Sequence, residues 1–165
     1  MLEPVACDHV ADPDEQADRG ERDPELLAVL LPEAVLTEDD GESATHAAVR
    51  TAGRRGRELG ENERKETRPG RLGAERGLSV CGRMLDQHGF EPVRETPTQL
   101  RLHNCPFHPL AAKAPDLVCG MNHAFITGYP EGLEVSSVEA TLAPRPAPRG
   151  ILRPAGPCQG VRVQP

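Results

Sequence analysis

Aromatic residues are scarce: the chain has no Trp, one Tyr and three Phe, 2% of its 165 residues. Leu, Val and Ala must therefore build the core, and this length supplies one modest core rather than two independent ones. Long apolar runs are lacking as well. No stretch approaches the roughly 20 residues of a membrane-spanning helix, and no charged, apolar, small-residue succession marks a signal peptide. The expectation is a soluble cytoplasmic protein with no membrane partner. There is no G-x-x-x-x-G-K-[ST] loop, no G-x-G-x-x-G after a strand and no H-E-x-x-H, which removes nucleotide hydrolysis and zinc proteolysis. Cys105 beside His103 or His108 has the makings of a thiolate and its base, but no third orienting group or oxyanion element accompanies them. The chain reads as a non-enzyme.

Basic residues are also few on balance. The formal charge is −7, divided between 18 acids and 9 bases in residues 1–70 and 8 acids and 10 bases in the remainder. Nucleic-acid surfaces gain affinity by releasing counterions to clustered Lys and Arg. The one dense cluster, Arg50, Arg54, Arg55 and Arg57, spreads round a helix among acids and reads as a solvated face. As it stands the chain is not expected to bind duplex DNA specifically. Its 16 Gly and 17 Pro make up a fifth of the sequence, so a good part is expected to be loop. Five cysteines without a secretory signal make a disulfide framework an unfavoured expectation and leave metal, redox or burial as roles.

Residues 1–22 are acidic, poor in apolar residues and broken by Pro4 and Pro13, an expected disordered arm. Residues 23–70 read as a helical dimerisation and linker region. Asp23-Pro24 supplies an N-cap and a first-turn proline for a short apolar helix that ends near Thr37 to Gly41. Ser43 or Thr45 caps a second helix to about Leu59. Its apolar positions, Ala44, Ala47, Ala48, Ala52 and Leu59, are mostly small and predict a helix that leans on a second copy of the chain. Gly60 to Gly70 reads as loop or polar helical extension.

Residues 71–146 read as an α+β domain in the order α-β-β-α-β-β, with helices on one face of a small antiparallel sheet. Leu72 to His88 carries the stripe Leu72, Leu78, Cys81, Met84 and Leu85, with Cys81 as core filler and Gly89 as the stop. Phe90 to Glu95 and Gln99 to His103 form a hairpin across Thr96-Pro97-Thr98. A helix runs from Pro115 to Thr127, Pro130 and Gly132 turn the chain, and Leu133 to Leu142 alternates as a strand with a bulge at Ser136-Ser137. Residues 147–165 form a Pro-rich tail in which only Val161-Arg162-Val163 looks able to pair.

Leu100 to Gly128 holds two of the five cysteines, three of the six histidines and two of the three phenylalanines. Strand alternation delivers His103 and Cys105 to one face, Asn104-Cys105-Pro106 breaks the strand, and helical spacing puts Cys119 and His123 on one face of the following helix. Thiolates converging from a loop and a helix suit zinc or an iron–sulfur cluster. The alternative for His103, His108 and His123 is a surface or internally satisfied histidine. Met121 and Phe125 read as core.

The phrases Leu102-His103-Asn104-Cys105-Pro106-Phe107-His108-Pro109-Leu110 and Pro115-Asp116-Leu117-Val118-Cys119-Gly120-Met121-Asn122 resemble the C-terminal sensor half of a bacterial family of winged helix-turn-helix regulators. That family is loosely grouped with the ArsR type and includes the iron–sulfur repressor of the Suf operon. Its members carry NCPF at a strand end and P-[ED]-L-V-C-x-M-N on the next helix, and the likeness spans about Asp23 to Pro146. It implies an effector-sensing and dimerisation domain of a transcriptional regulator, a homodimer, with an iron–sulfur cluster, 4Fe-4S in kind, or zinc held by Cys105 and Cys119. His103 and His123 are additional candidates. Two departures stand out. The family's winged helix precedes the region matching Asp23, where this chain has about twenty acidic residues, so DNA enters only through a winged helix upstream of Met1. Members also end in a strand with a glycine and one or two cysteines, whereas here Ala147-Pro148-Arg149-Gly150 follows and Cys158 is the remaining candidate ligand. A stand-alone metal-binding or protein-interaction module without DNA binding is the alternative function.

Overall fold

The computed structural model describes residues 24–37, 39–68, 70–102, 105–111, 113–142 and 161–164. The expected disordered arm at 1–22 and most of the Pro-rich tail lie outside them. The fold is α+β. In chain order the helices are α1 (Pro24–Leu36), α2 (Ala44–Thr67), α3 (Ala74–Gln87), α4 (His108–Ala111) and α5 (Pro115–Gly132). The strands are β1 (Pro92–Thr96), β2 (Gln99–Leu102), β3 (Glu139–Leu142) and β4 (Val161–Gln164).

Local chemistry sets most helix ends. Ser43 caps α2 by accepting from the His46 amide at 3.2 Å. The helix continues past Leu59 through the charged stretch to Thr67, as a polar extension rather than a loop. Arg64 helps to hold that extension by donating to the Leu133 carbonyl at 3.0 Å and pairing with Glu134 at 2.8 Å. On α3, Leu78, Cys81, Met84 and Leu85 are all buried and Gly89, at φ +77°, ends the run.

The small face of α2 is used within the chain: Ala47, Ala48 and Ala52 are buried, and α2 packs along α5 more extensively than any other pair of elements. Glycine makes this approach possible. A Cβ on Gly56 would run into the Phe125 carbonyl oxygen, and one on Gly60 into that of Tyr129. From the other side, a Cβ on Gly128 would meet the Gly53 carbonyl and one on Gly132 the Arg57 carbonyl. Two backbones in contact leave no room for side chains, so these four positions require glycine for space.

The expected turn at Pro130 and Gly132 does not form, because α5 runs on through both. A proline inside a helix forfeits one hydrogen bond and crowds the preceding turn. Here Gly128, Tyr129, Pro130 and Gly132 are all buried in or beside the α2 contact, and that packing holds the last turn helical. The expected strand from Leu133, with its bulge at Ser136-Ser137, shrinks accordingly to Glu139–Leu142. Leu133 and Val135 point into the core from the turn that follows α5.

All strand pairs are antiparallel, in the order β1-β2-β4-β3. The hairpin registers Pro92 against Leu102 and Arg94 against Leu100, with an irregularity between Arg94 and Thr96. Val161–Gln164 therefore enters the middle of the sheet, pairing Leu100 with Val163 on one side and Ala140 with Val163 on the other. Residues 161–164 thus form a strand of this sheet, as the pairing expected of Val161-Arg162-Val163 requires. Leu100, Leu102 and Ala140 are buried while Arg101 is half-buried and Glu139 exposed, the alternation of a sheet with one face covered.

The arginines of α2 are committed to carboxylates. Arg50 pairs with Glu42 at 2.7 Å, Arg54 with Glu33 of α1 at 2.7 Å, and Arg57 with Glu131 of α5 at 2.5 Å. Pairs near the surface are screened by solvent and add little to stability. They also neutralise the one basic cluster in the chain.

Candidate functional site

Cys105 lies just beyond the end of β2, where Pro106 and Phe107 turn the chain into α4. Phe107 fixes this corner: it is 4% exposed and its ring meets that of Phe90 edge to face, with centroids 6.4 Å apart. The Cys105 thiol is free and buried. Its Sγ accepts a hydrogen bond from Asn122 Nδ2 at 3.2 Å, and the Phe107 amide donates to it as well. Burial pushes the thiol's pKa up, and these two donors act in the opposite direction.

Asn122 joins the two halves of the site. It sits three residues after Cys119 on α5, a separation that leaves about 5–6 Å between Cβ atoms on one helix face. Its amide reaches Cys105, so the strand-end thiol lies against the face of α5 that carries Cys119. The sequence contains a signal for this role, a polar Asn among Val118, Met121, Phe125 and Ile126, all buried. A buried amide in apolar surroundings requires a partner, and the partner is a sulfur.

Cys119 is 4% exposed and disulfide-bonded, with its partner outside the described residues. The sequence reading disfavours a disulfide framework but leaves redox roles open, and one bonded cysteine is not a framework. A single pair among five cysteines leaves no spacing pattern from which to read it. A cysteine ligates a metal as its thiolate. With Cys119 in a disulfide, the Cys105 and Cys119 pair presents one free sulfur and does not fit a metal ion or cluster; reduced, it presents two.

His123 is half-buried, and its Nε2 lies 3.0 Å from the Ala140 carbonyl of β3. A carbonyl only accepts, so Nε2 carries the proton and serves as a sheet-to-helix tie, leaving Nδ1 as the one nitrogen able to ligate. His103 and Cys158 lie outside the described residues, as does the side chain of His108. Among the described residues, no group of three or more His, Cys, Asp or Glu is gathered as a metal set. No described helix is long and apolar enough to cross a membrane.

Cys81 belongs to the core. It is 2% exposed, and burial pushes its pKa up to about 12 from an ordinary 9.0. The folded chain keeps this thiol protonated while the unfolded chain ionises it above about 9, so its contribution to stability is present below that pH and lost as pH rises towards about 12. Tyr129, its pKa also raised by burial, acts in the same direction. Urea midpoints measured from pH 8 upward should therefore fall, and Cys81→Ala should make that fall shallower. Equal slopes would mean that Cys81 is not sealed in the folded state. No family model, curated protein or solved structure matches this chain.

Proposed function

We propose that this chain is the effector-sensing and dimerisation part of a bacterial transcriptional regulator, taking an iron–sulfur cluster or zinc through Cys105 and Cys119 when Cys119 is reduced. The observation that carries the reading is the Asn122 to Cys105 hydrogen bond, which sets a buried strand-end thiol against the helix face of Cys119. A bound cluster would supply an iron- and redox-responsive group, and zinc a closed structural tie. In either case Asn122 and the Phe107 amide orient the Cys105 sulfur, as outer-shell donors do for ligating thiolates. Cys158 and His103 are the candidates for further ligands.

Dimerisation is assigned to α1. That helix is apolar on both sides: Leu26, Leu30 and Ala34 are buried, while Val29, Val35 and Leu36 are 44%, 69% and 84% exposed. A second copy laid on this outer face would cover it. The α2 arginines Arg50, Arg54 and Arg57 are already paired with acids, so this chain by itself is not assigned a duplex-DNA surface. The same exposed α1 face also suits a second reading, a stand-alone metal-binding or protein-interaction module.

Anaerobic expression followed by an absorption spectrum and iron, sulfide and zinc analysis tests the site. Stoichiometric metal that is lost in Cys105→Ser is the expected result. A metal-free protein with both thiols shown to be free would rule the reading out.

A further inference from the structure

Away from the cysteine pair, a groove of about 290 Å³ lies between the last turns of α2 and the helix α3, with Leu72, Val80 and Leu133 as its apolar lining. Arg76, Ser79 and Arg83 of α3 line one side, and Glu63 of α2 lines the other. Arg76 and Arg83 are seven residues apart, which is two turns and roughly 10 Å along one helix face. Ser79 lies between them. Its Oγ accepts a hydrogen bond from Arg94 Nη2 of β1 at 2.8 Å while donating to the Glu75 carbonyl at 2.9 Å. Arg50, Arg54, Arg57, Arg64 and Arg101 each pair with a carboxylate, whereas among the described residues Arg76, Arg83 and Arg94 have none. Both sides of the groove act on one phenol: burial is the main cause of the raised Tyr129 pKa, and on top of it Glu63 pushes up and Arg83 pushes down.

We propose that this groove is a binding site for a small organic phosphate that also carries a hydroxyl or amino group. Arg76 and Arg83, with Arg94 at the rim, take the phosphate, and Glu63 accepts a hydrogen bond from the ligand's own donor. A guanidinium presents a planar fork of donors that matches two phosphate oxygens. A phosphomonoester carries about −1.5 to −2 charges near pH 7, enough to engage two unpaired arginines where a single carboxylate would engage one. Glu63 has no ion-pair partner among the described residues either, and it would repel a bare phosphate. A ligand with a donor beyond its phosphate replaces that repulsion with a hydrogen bond. Leu72, Val80 and Leu133 offer a surface for the short carbon chain between the two ends, in a volume near the lower end of the about 300–1,000 Å³ typical of ligand sites. The site shares no residue with the Cys105 and Cys119 pair and stands whether or not that pair takes a metal.

Glycerol 3-phosphate and inorganic phosphate are the probes, titrated into the full chain at low ionic strength and followed by calorimetry and by the arginine Nε–H resonances. Saturable binding of glycerol 3-phosphate below about 1 mM is expected, within the range in which metabolite sites operate, with inorganic phosphate clearly weaker. Arg76 and Arg83 are exposed, so glutamine at either position leaves the core intact. Arg76→Gln and Arg83→Gln should each weaken binding about tenfold or more, as the loss of a charge-assisted hydrogen bond does. Arg71→Gln removes the same charge from an exposed arginine that does not line the groove, and it should change binding by less than about twofold. Glu63→Ala should erase the preference for glycerol 3-phosphate over inorganic phosphate. Neither heat nor a resonance shift with glycerol 3-phosphate at about 1 mM would overturn the site. Equal losses in Arg71→Gln and Arg83→Gln would also overturn it, since the attraction would then be that of any surface charge. An unchanged preference in Glu63→Ala would overturn the two-ended ligand.

Discussion

Gly128→Ala should destabilise the protein by about 3 kcal/mol or more, at the upper end of what overpacking costs. The new methyl would be driven against the Gly53 carbonyl oxygen and the Arg57 amide, both backbone atoms that no rotamer change can move aside. Relief comes only by parting α2 from α5, and that contact organises the whole fold. Gly53→Ala is the control within the same interface. Its Cβ would sit 3.6 Å from Ala124 Cβ, an ordinary contact. Alanine is also favoured over glycine inside a helix by about 0.8–1 kcal/mol. Gly53→Ala should therefore leave stability unchanged or raise it. Urea melts at constant m-value measure both. Similar small changes from the two substitutions would mean that the helices do not approach to backbone contact.

Phe125→Ala should cost about 3–5 kcal/mol, the range for a fully buried aromatic. Phe125 is 1% exposed and heads the fully buried side chains by volume, in a core with few aromatics to share the load. Its ring stands edge to face with His88 just past α3, centroids 5.4 Å apart, while its carbonyl lies under Gly56 of α2. One residue thus contacts both helices that flank α5. Phe125→Leu keeps most of the volume and should lose clearly less than Phe125→Ala. A loss below about 1 kcal/mol for Phe125→Ala would contradict tight packing of α3 on α5.

The same length of chain that was easiest to read also hid the most. Leu100 to Gly128 shows its strand, its break and its helix openly, yet nothing in its spacing tells whether Cys119 is a thiol. Cysteine bonding depends on which sulfurs meet in space, and the odd count of five allows several outcomes. The role of Asn122 has no local signature, because its partner is 17 residues away across the strand-to-helix junction. His123 shares a helix face with Cys119 as its four-residue spacing requires, but its Nε2 turns to the Ala140 carbonyl.

Helix starts and stops were legible wherever the deciding interaction spans four residues or fewer. Pro24 in the first turn of α1, Ser43 capping α2 and Gly89 after α3 act on their immediate neighbours, and each is where the local chemistry places it. The hairpin from Pro92 to Leu102 is equally local, as is the α+β order that follows from such segments. Tertiary packing decided the rest. The passage of α5 through Pro130 depends on α2, some seventy residues earlier in the chain. The small face of α2 could serve a second copy or its own chain, and only the matching glycines of α5 settle it on the latter. Insertion of β4 between β2 and β3 likewise has no local signal beyond two valines. A backbone carbonyl that accepts a neighbouring helix, or a strand edge that accepts another strand, is generic in sequence. It becomes specific only when the fold brings its partner to it.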